Sequence, residues 1–177
     1  MTLHTISSPQ LYVRIHDLFD NQWLILTCGD FEKGDFNGMT ISWGSLGVMW
    51  SKAFAQVVVR PTRYTHTFME KYPTFTLCAF PEEYRSALNT MGSRSGRNCD
   101  KIAEAGLTPI PSSIVSAPCY AEAELVIECR KMFFDDFKPA HFVDPSINRN
   151  YPQKDYHRIY FGEILAIRGI EKYLSRE

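Results

Sequence analysis

The sequence predicts a mainly β fold, an antiparallel barrel with small helices at its ends, and three observations carry that prediction. Met39 to Val48 alternates with a period of two, with Met39, Ile41 and Trp43 on one side and Thr40, Ser42 and Gly44 on the other. Gln56-Val57-Val58-Val59 is a β-branched run of the kind that fills a buried strand. Tyr120 to Phe134 is a long strand in which Glu122, Glu124 and Glu128 alternate with Ala123, Leu125 and Ile127. Long helices do not alternate regularly with these strands, which disfavours a doubly wound parallel sheet. Closing an antiparallel sheet on itself removes its exposed edges.

The remaining elements follow in order. Residues 1–20 read as an irregular N-terminal arm, and Trp23–Thr27 as a short apolar strand. Gly29–Gly38 is polar and holds three glycines, so it reads as a turn. Pro61 ends the strand that begins at Gln56, and Thr62 or Thr65 can cap a helix over Tyr64–Lys71. Thr74–Ala79 is a strand. Pro81-Glu82-Glu83 opens a helix that ends near Gly92, because Pro and acids suit a first helical turn. Gly92–Asn98 is a polar loop, Asp100–Ala105 a short helix closed by Gly106, and Thr108–Pro118 a crossing. Residues 135–156 hold three prolines and little periodicity, which makes them a surface excursion. Arg158–Ile167 is a last strand before a short charged tail. There is no internal repeat and no linker, so residues 1–177 are expected to form a single domain.

Composition narrows the function. The 177 residues are 45% hydrophobic and 22% charged, which suits one folded domain with a full core. Nineteen basic residues against twenty acidic ones leave a net charge of -1, so electrostatics give no case for a nucleic acid or an anionic membrane as partner. The five cysteines are odd in number and form no Cys-x-x-Cys, which argues against a disulfide framework or a zinc site. They read as free thiols in a reducing cytoplasm. The first 20 residues contain no apolar core of a signal peptide, and no apolar run approaches the ~20 residues of a membrane span. A cytoplasmic location is therefore expected. No dinucleotide or P-loop fingerprint occurs. The five histidines lack metal-ligand spacing. Neither a metal nor a catalytic acid or base is expected.

Three stretches exceed what core packing requires. Asn37-Gly38-Met39-Thr40-Ile41-Ser42-Trp43-Gly44 carries small side chains on its polar face, which lets a flat ligand approach the backbone. The same face also fits a strand turned to water. Arg60-Pro61-Thr62-Arg63-Tyr64-Thr65 gathers guanidinium groups, hydroxyls and free backbone N–H groups at a strand-to-helix junction, a ready anion site as well as an ordinary helix start. Gly92-Ser93-Arg94-Ser95-Gly96-Arg97-Asn98-Cys99-Asp100-Lys101 combines Ser, Arg and Lys with glycines. Together they suggest a ligand with a flat apolar body and an anionic tail. FMN, pyridoxal phosphate and several nucleotides all have that form.

Those stretches, with Phe80-Pro81-Glu82-Glu83-Tyr84, Gly106-Leu107-Thr108-Pro109, Asp155-Tyr156-His157-Arg158 and Tyr160-Phe161-Gly162-Glu163-Ile164, make the chain resemble the flavin reductase-like proteins, in particular the flavoredoxin branch, over about residues 20–168. The run Trp50-Ser51-Lys52-Ala53 departs from the Lys-Pro that often follows the corresponding Trp. The resemblance implies a six-stranded antiparallel FMN-binding split barrel that forms a homodimer, with one FMN per subunit in a groove near the interface. It implies that Asn37, Met39, Thr40, Ile41, Ser42 and Trp43 border the isoalloxazine ring. Arg60, Arg63 and Thr65 then reach the ribityl phosphate with Ser93, Ser95 and Lys101, Tyr64 belongs to the same binding motif, and His157 and Phe161 close the ring pocket. The implied activity is an oxidoreductase in which NAD(P)H reduces bound FMN. An electron carrier reduced by a redox protein partner and a non-redox flavin-binding module are the alternatives. In such a site the cofactor performs the hydride chemistry, so no catalytic side chain is required.

Overall fold

The fold is that of a computed structural model, described over residues 2–175. Met1, Arg176 and Glu177, which belong to the expected arm and tail, lie outside the described residues. The strands are β1 (His4–Thr5), β2 (Leu24–Asp30), β3 (Asp35–Ile41), β4 (Gly44–Met49) and β5 (Lys52–Val59). Helix α1 (Tyr64–Lys71), β6 (Thr74–Ala79), helices α2 (Arg85–Ser93) and α3 (Lys101–Glu104), β7 (Pro109–Ile110), β8 (Cys119–Tyr120), β9 (Leu125–Asp136) and β10 (Arg158–Gly169) follow.

Among the described residues the main sheet has eight strands where six were expected. Seven follow the order β3-β2-β6-β9-β10-β5-β4, all neighbours antiparallel, and β1 adds to the outer part of β10. β7 and β8 form a separate two-stranded ladder. The first extra strand comes from the segment expected to be an irregular arm, because His4 and Thr5 pair with Gly169 and Arg168. The second comes from a break in the stretch Met39–Val48. That stretch is not one strand: it leaves β3 after Ile41 and restarts as β4 at Gly44. A Cβ on Gly44 would lie 2.5 Å from Phe19 Cε1 and 2.6 Å from the Gln56 carbonyl oxygen, so only glycine lets the chain re-enter there. The break also corrects the facing of the strand. Met39 and Ile41 point into the core as expected, but Trp43 is 46% exposed. The segment Gly29–Gly38 is likewise mostly strand, with only residues 31–34 forming the turn between β2 and β3. Its glycines serve close approach: a Cβ on Gly38 would meet Thr27 Oγ1 at 2.7 Å.

The barrel interior is filled by Leu24, Leu26, Val57, Val59, Phe75, Leu77, Leu125, Ile127 and Tyr160. The outer faces of β2, β6 and β9 are covered too. Ile25, Cys78 and Val126 pack with Phe80, Leu88, Met91 and Tyr120 beneath α2. Each large side chain contributes roughly 1.5–3 kcal/mol on burial, so covering both faces anchors β2 and β6 far better than one face would. These strands therefore form the rigid wall on which β3 is laid. β10 passes close across the interior at Gly162, where a Cβ would lie 2.5 Å from Phe75 Cζ and 2.9 Å from Cys129 Cβ.

Helix α1 starts directly after the Arg60–Arg63 turn, as the sequence predicts, but neither Thr62 nor Thr65 caps it. The cap position is Arg63, which makes no side-chain capping bond, and Thr65 is buried inside the first turn. The expected excursion is shorter than 135–156, because β9 extends to Asp136 and pairs there with Arg158. The rest contains two short 3-10 helices, Pro139–His141 and Pro145–Asn150. None of the described helices is long and apolar enough to cross a membrane. All five cysteines are free, four of them buried and Cys99 half-buried.

Candidate functional site

β3 and β4 are the two ends of the main sheet and do not pair with each other. β3 therefore bonds to β2 on one side and presents its other edge, with unpaired backbone groups, to an open seam. A cavity of about 190 Å³ lies at this seam. Met39, Thr40, Ile41, Ser42, Trp43, Val58, Arg60 and His157 line it. Thr40 is fixed by α2, its Oγ1 donating to the Leu88 carbonyl at 2.5 Å. Released from the strand at the break, the Trp43 ring swings out to lie 5.2 Å from the His157 ring.

Arg60 and His157 are both held by the segment that follows β9. The Arg60 guanidinium donates to Asp155 Oδ1 at 2.8 Å and to the Asn150 carbonyl at 2.8 Å, and it lies 4.9 Å over the Tyr151 ring. His157 is 8% exposed, and its Nδ1 is 2.8 Å from the Tyr151 hydroxyl. Burial, with the nearby Arg60 charge, pulls the His157 pKa down from 6.5 to about 4. His157 is thus a neutral imidazole at pH 7. Asp155 and Tyr151 were not among the site residues expected from the sequence. The available signal was the density of aromatics in the excursion, where Phe137, Phe142, Tyr151 and Tyr156 pack on one another and on His157.

A second, larger cavity of about 620 Å³ lies beside the start of β3. Of the expected residues, Asn37, Tyr64 and Lys101 line it, together with Phe36, Phe68 and Arg97 among others. Asn37 is buried and donates to Thr65 Oγ1 at 2.7 Å, which ties β3 to α1. Arg97 lies 5.0 Å over the Tyr64 ring and donates to the Thr62 carbonyl at 3.2 Å. Lys101 is only 3% exposed. Its Nζ donates to the carbonyls of Met91 at 3.1 Å and Arg94 at 3.3 Å, closing the C-terminal end of α2. Burial, with Arg63 nearby, lowers its pKa to about 8.

Arg63 lines neither cavity. Its guanidinium donates to the Gly92 carbonyl at 2.6 Å, joining the start of α1 to the end of α2. Ser93 Oγ turns back to the Asn89 carbonyl, and Ser95 Oγ accepts from the Arg97 backbone N–H. The expected convergence of Arg60, Arg63, Thr65 and Lys101 on one point is therefore not assembled. Arg60 faces the seam, Lys101 the second cavity, and Arg63 and Thr65 hold protein groups. Phe161 does not line the seam cavity. It packs with Phe54 at 5.1 Å, Phe133 at 6.0 Å and Trp50 at 6.2 Å, in a cluster separate from the His157 ring. His157 stands just before β10 and Phe161 lies within it, roughly 13 Å further along an extended chain.

A family model described as the flavin reductase like domain matches residues 17–175. No curated protein matches the chain in sequence. An FMN-binding domain of a flavin reductase-like enzyme from Shewanella baltica superposes with a TM-score of 0.68 at 14% identity, covering 95% of this chain and 77% of that one. Flavoredoxin of Desulfovibrio vulgaris gives 0.65 at 20% identity, with 91% and 75% covered. An NADH:FAD oxidoreductase of Streptomyces globisporus gives 0.61 at 17% identity, with 82% and 74% covered. At these identities the likeness establishes the shared split-barrel fold.

The low His157 pKa has a measurable consequence. The unfolded chain takes up the proton near pH 6.5 and the folded chain only near 4. Stability linked to His157 is therefore complete above about 6.5 and is lost as the pH falls from there through 4. Proton NMR is expected to show the His157 ring titrating near pH 4. Urea denaturation is expected to show the wild type losing more stability between pH 7 and 4 than His157→Gln. A titration midpoint near 6.5 would contradict the burial assigned to the ring.

Proposed function

The chain belongs to the flavin reductase-like domain family, and on that premise we propose that it is an oxidoreductase working through FMN bound on the open edge of β3. The observation that carries this reading is the composition of the seam cavity. Seven of the residues singled out from the sequence, Met39 to Trp43 with Arg60 and His157, line it together. A free strand edge offers backbone donors and acceptors to the rim of a planar ring, the small side chains Thr40 and Ser42 allow close approach, and Trp43 offers a face for stacking. When bound, FMN supplies the hydride and electron-transfer chemistry. The chain's own residues bind the ring, orient it and leave its exposed side open to a reductant. NAD(P)H is the reductant in this reading, and reduction by a redox protein partner alone is the other outcome that an anaerobic assay distinguishes. The free thiols fit work in a reducing cytoplasm.

The phosphate end falls to the junction of α1 and α2. Arg63 and Ser93 donate there to backbone carbonyls that a ligand anion can displace, Ser95 lies in the same loop, and Arg60 stands at the seam. A carbonyl is a neutral acceptor, whereas a phosphate forms charge-assisted bonds roughly twice as strong, so the exchange favours the ligand. Lys101 supports the loop from beneath through the Met91 and Arg94 carbonyls.

The reading includes a homodimer. Val48, Met49, Trp50, Phe133 and Phe134 are exposed. The tip of the β4–β5 hairpin holds Trp50 and Ser51 at φ 53° and 58°, a left-handed conformation that a bulky residue rarely takes. A strained, solvent-facing tryptophan beside Phe133 and Phe161 is a surface suited to a second copy of the chain. The 190 Å³ seam cavity is smaller than a ligand pocket usually is, so a partner wall next to it would complete the groove. Light scattering at micromolar concentration is expected to give twice the monomer mass, and a monomer mass would count against this assembly.

Loss of a charge-assisted contact costs roughly 1.5–3 kcal/mol, or about ten- to a hundred-fold in affinity. Arg63→Ala is therefore expected to weaken FMN binding by that factor and to leave riboflavin binding nearly unchanged, because riboflavin lacks the phosphate. Trp43→Ala is expected to weaken both ligands alike. Fluorescence titration checks both variants, and equal losses for the two ligands in Arg63→Ala would remove Arg63 from the phosphate site.

A further inference from the structure

The segment between β9 and β10 does more than cover the surface. Its aromatic residues interlock. Tyr151 lies 5.9 Å from Phe142 in a stacked arrangement and 4.9 Å from Tyr156, and Arg60 sits over its ring. Tyr151 is 4% exposed. The segment is tied at its base, where the Phe137 N–H donates to the His157 carbonyl and Arg158 pairs with Asp136. The purpose of this packing is legible at a single bond, that between the Tyr151 hydroxyl and His157 Nδ1.

We propose that Tyr151 is a positioning residue that fixes His157 as the tautomer carrying its proton on Nε2, so that His157 offers an N–H donor to the ligand in the seam cavity. This rests on the flavin reading for the identity of that ligand, but its premises are this chain's own atoms. The Tyr151 hydroxyl lies 2.8 Å from His157 Nδ1 and its oxygen also faces the His157 backbone N–H, so Nδ1 is the one acceptor it meets among the described residues. If Nδ1 carried the proton and donated, the buried hydroxyl would be left with a hydrogen and no acceptor, an arrangement that folded proteins avoid. The hydroxyl therefore donates and Nδ1 accepts. In a neutral imidazole the proton must then be on Nε2. Nε2 has no hydrogen-bond partner among the described residues, and the ring lines the seam cavity next to Trp43 and Arg60. A flat ligand whose rim carries carbonyl oxygens or ring nitrogens is the complement of such a donor. The excursion thus sets the polarity of the site as well as its shape: remove one oxygen atom from Tyr151 and the imidazole is free to present a lone pair instead.

The tautomer can be read without ligand, from the nitrogen shifts of His157 in long-range ¹⁵N–¹H spectra of the labelled protein at pH 7. The wild type is expected to show one neutral form, with Nε2 protonated and Nδ1 bare. Tyr151→Phe is expected to show both tautomers and to lose about threefold to tenfold in FMN affinity, the worth of one hydrogen bond. His157→Gln places an amide N–H that has no tautomers near the same point. Adding Tyr151→Phe to it is expected to cost less than twofold, as a double-mutant cycle requires when one residue acts through the other. A wild-type His157 protonated on Nδ1 would overturn the proposal. So would a Tyr151→Phe protein that keeps the wild-type tautomer or the wild-type affinity, or one whose loss is the same with and without His157→Gln. Failure of the wild type to bind FMN would sink the flavin reading and the ligand half of this one, while the ligand-free spectra would still judge the tautomer.

Discussion

The unpaired edge of β3 is the constraint on which the rest of the site depends. A sheet of this size gains hydrogen bonds by closing fully, yet β3 and β4 stop short of each other because the chain leaves the sheet at Ser42-Trp43 and re-enters at Gly44. The crowding of Phe19 and the Gln56 carbonyl around Gly44 fixes the point of re-entry. The consequence is a seam with backbone donors and acceptors on one side and Trp43 and His157 at its mouth. Such an edge is a hazard for aggregation unless it is covered or used. Here α2 covers one face through Thr40, and in the proposed reading a planar ligand occupies the edge.

Arg60, Arg63, Lys101, Asn37 and Thr65 are each paired with protein groups, which explains how these polar side chains are held close to β3 without unfolding the region. Arg60 is neutralised by Asp155, Arg63 and Lys101 are spent on carbonyls at the end of α2, and Asn37 and Thr65 satisfy each other. Those bonds set the positions of α1, α2 and the 94–100 loop before any ligand binds. A binding anion then exchanges one acceptor for a stronger one instead of ordering flexible side chains, which would cost about 0.5–1.5 kcal/mol each.

Much of this was legible in the sequence, for physical reasons. The period-two and β-branched runs specified the strands because a half-buried or buried sheet surface demands them. Arg60-Pro61 specified a strand-to-helix junction because proline ends one element and suits the start of the next. The break at Trp43 was not legible, since alternation in the sequence continues straight through it and only the packing of Phe19 against Gly44 interrupts it. The same limit applies to Phe161. The resemblance implies that it closes the ring pocket with His157, while the β10 register places it opposite Gln56 and Phe133. The prolines of the excursion mark it as surface. Its role emerged only from tertiary contacts, because an aromatic cluster without periodicity leaves no signature of what it encloses. The separation of Arg60, Arg63 and Lys101 from one another was hidden for a related reason: Lys101 and Arg63 have side chains long enough to reach a ligand or a helix end, and the choice depends on burial.

Two cavities flank β3, and in the proposed reading the flavin ring occupies the smaller one at the seam. A crystal structure of the protein soaked with FMN decides this most directly. The expected result is isoalloxazine density along Met39–Trp43 with its rim facing His157. Ring density in the larger cavity between Phe36, Tyr64 and Arg97, with the seam vacant, would contradict the assignment and the roles given to Trp43, Tyr151 and His157.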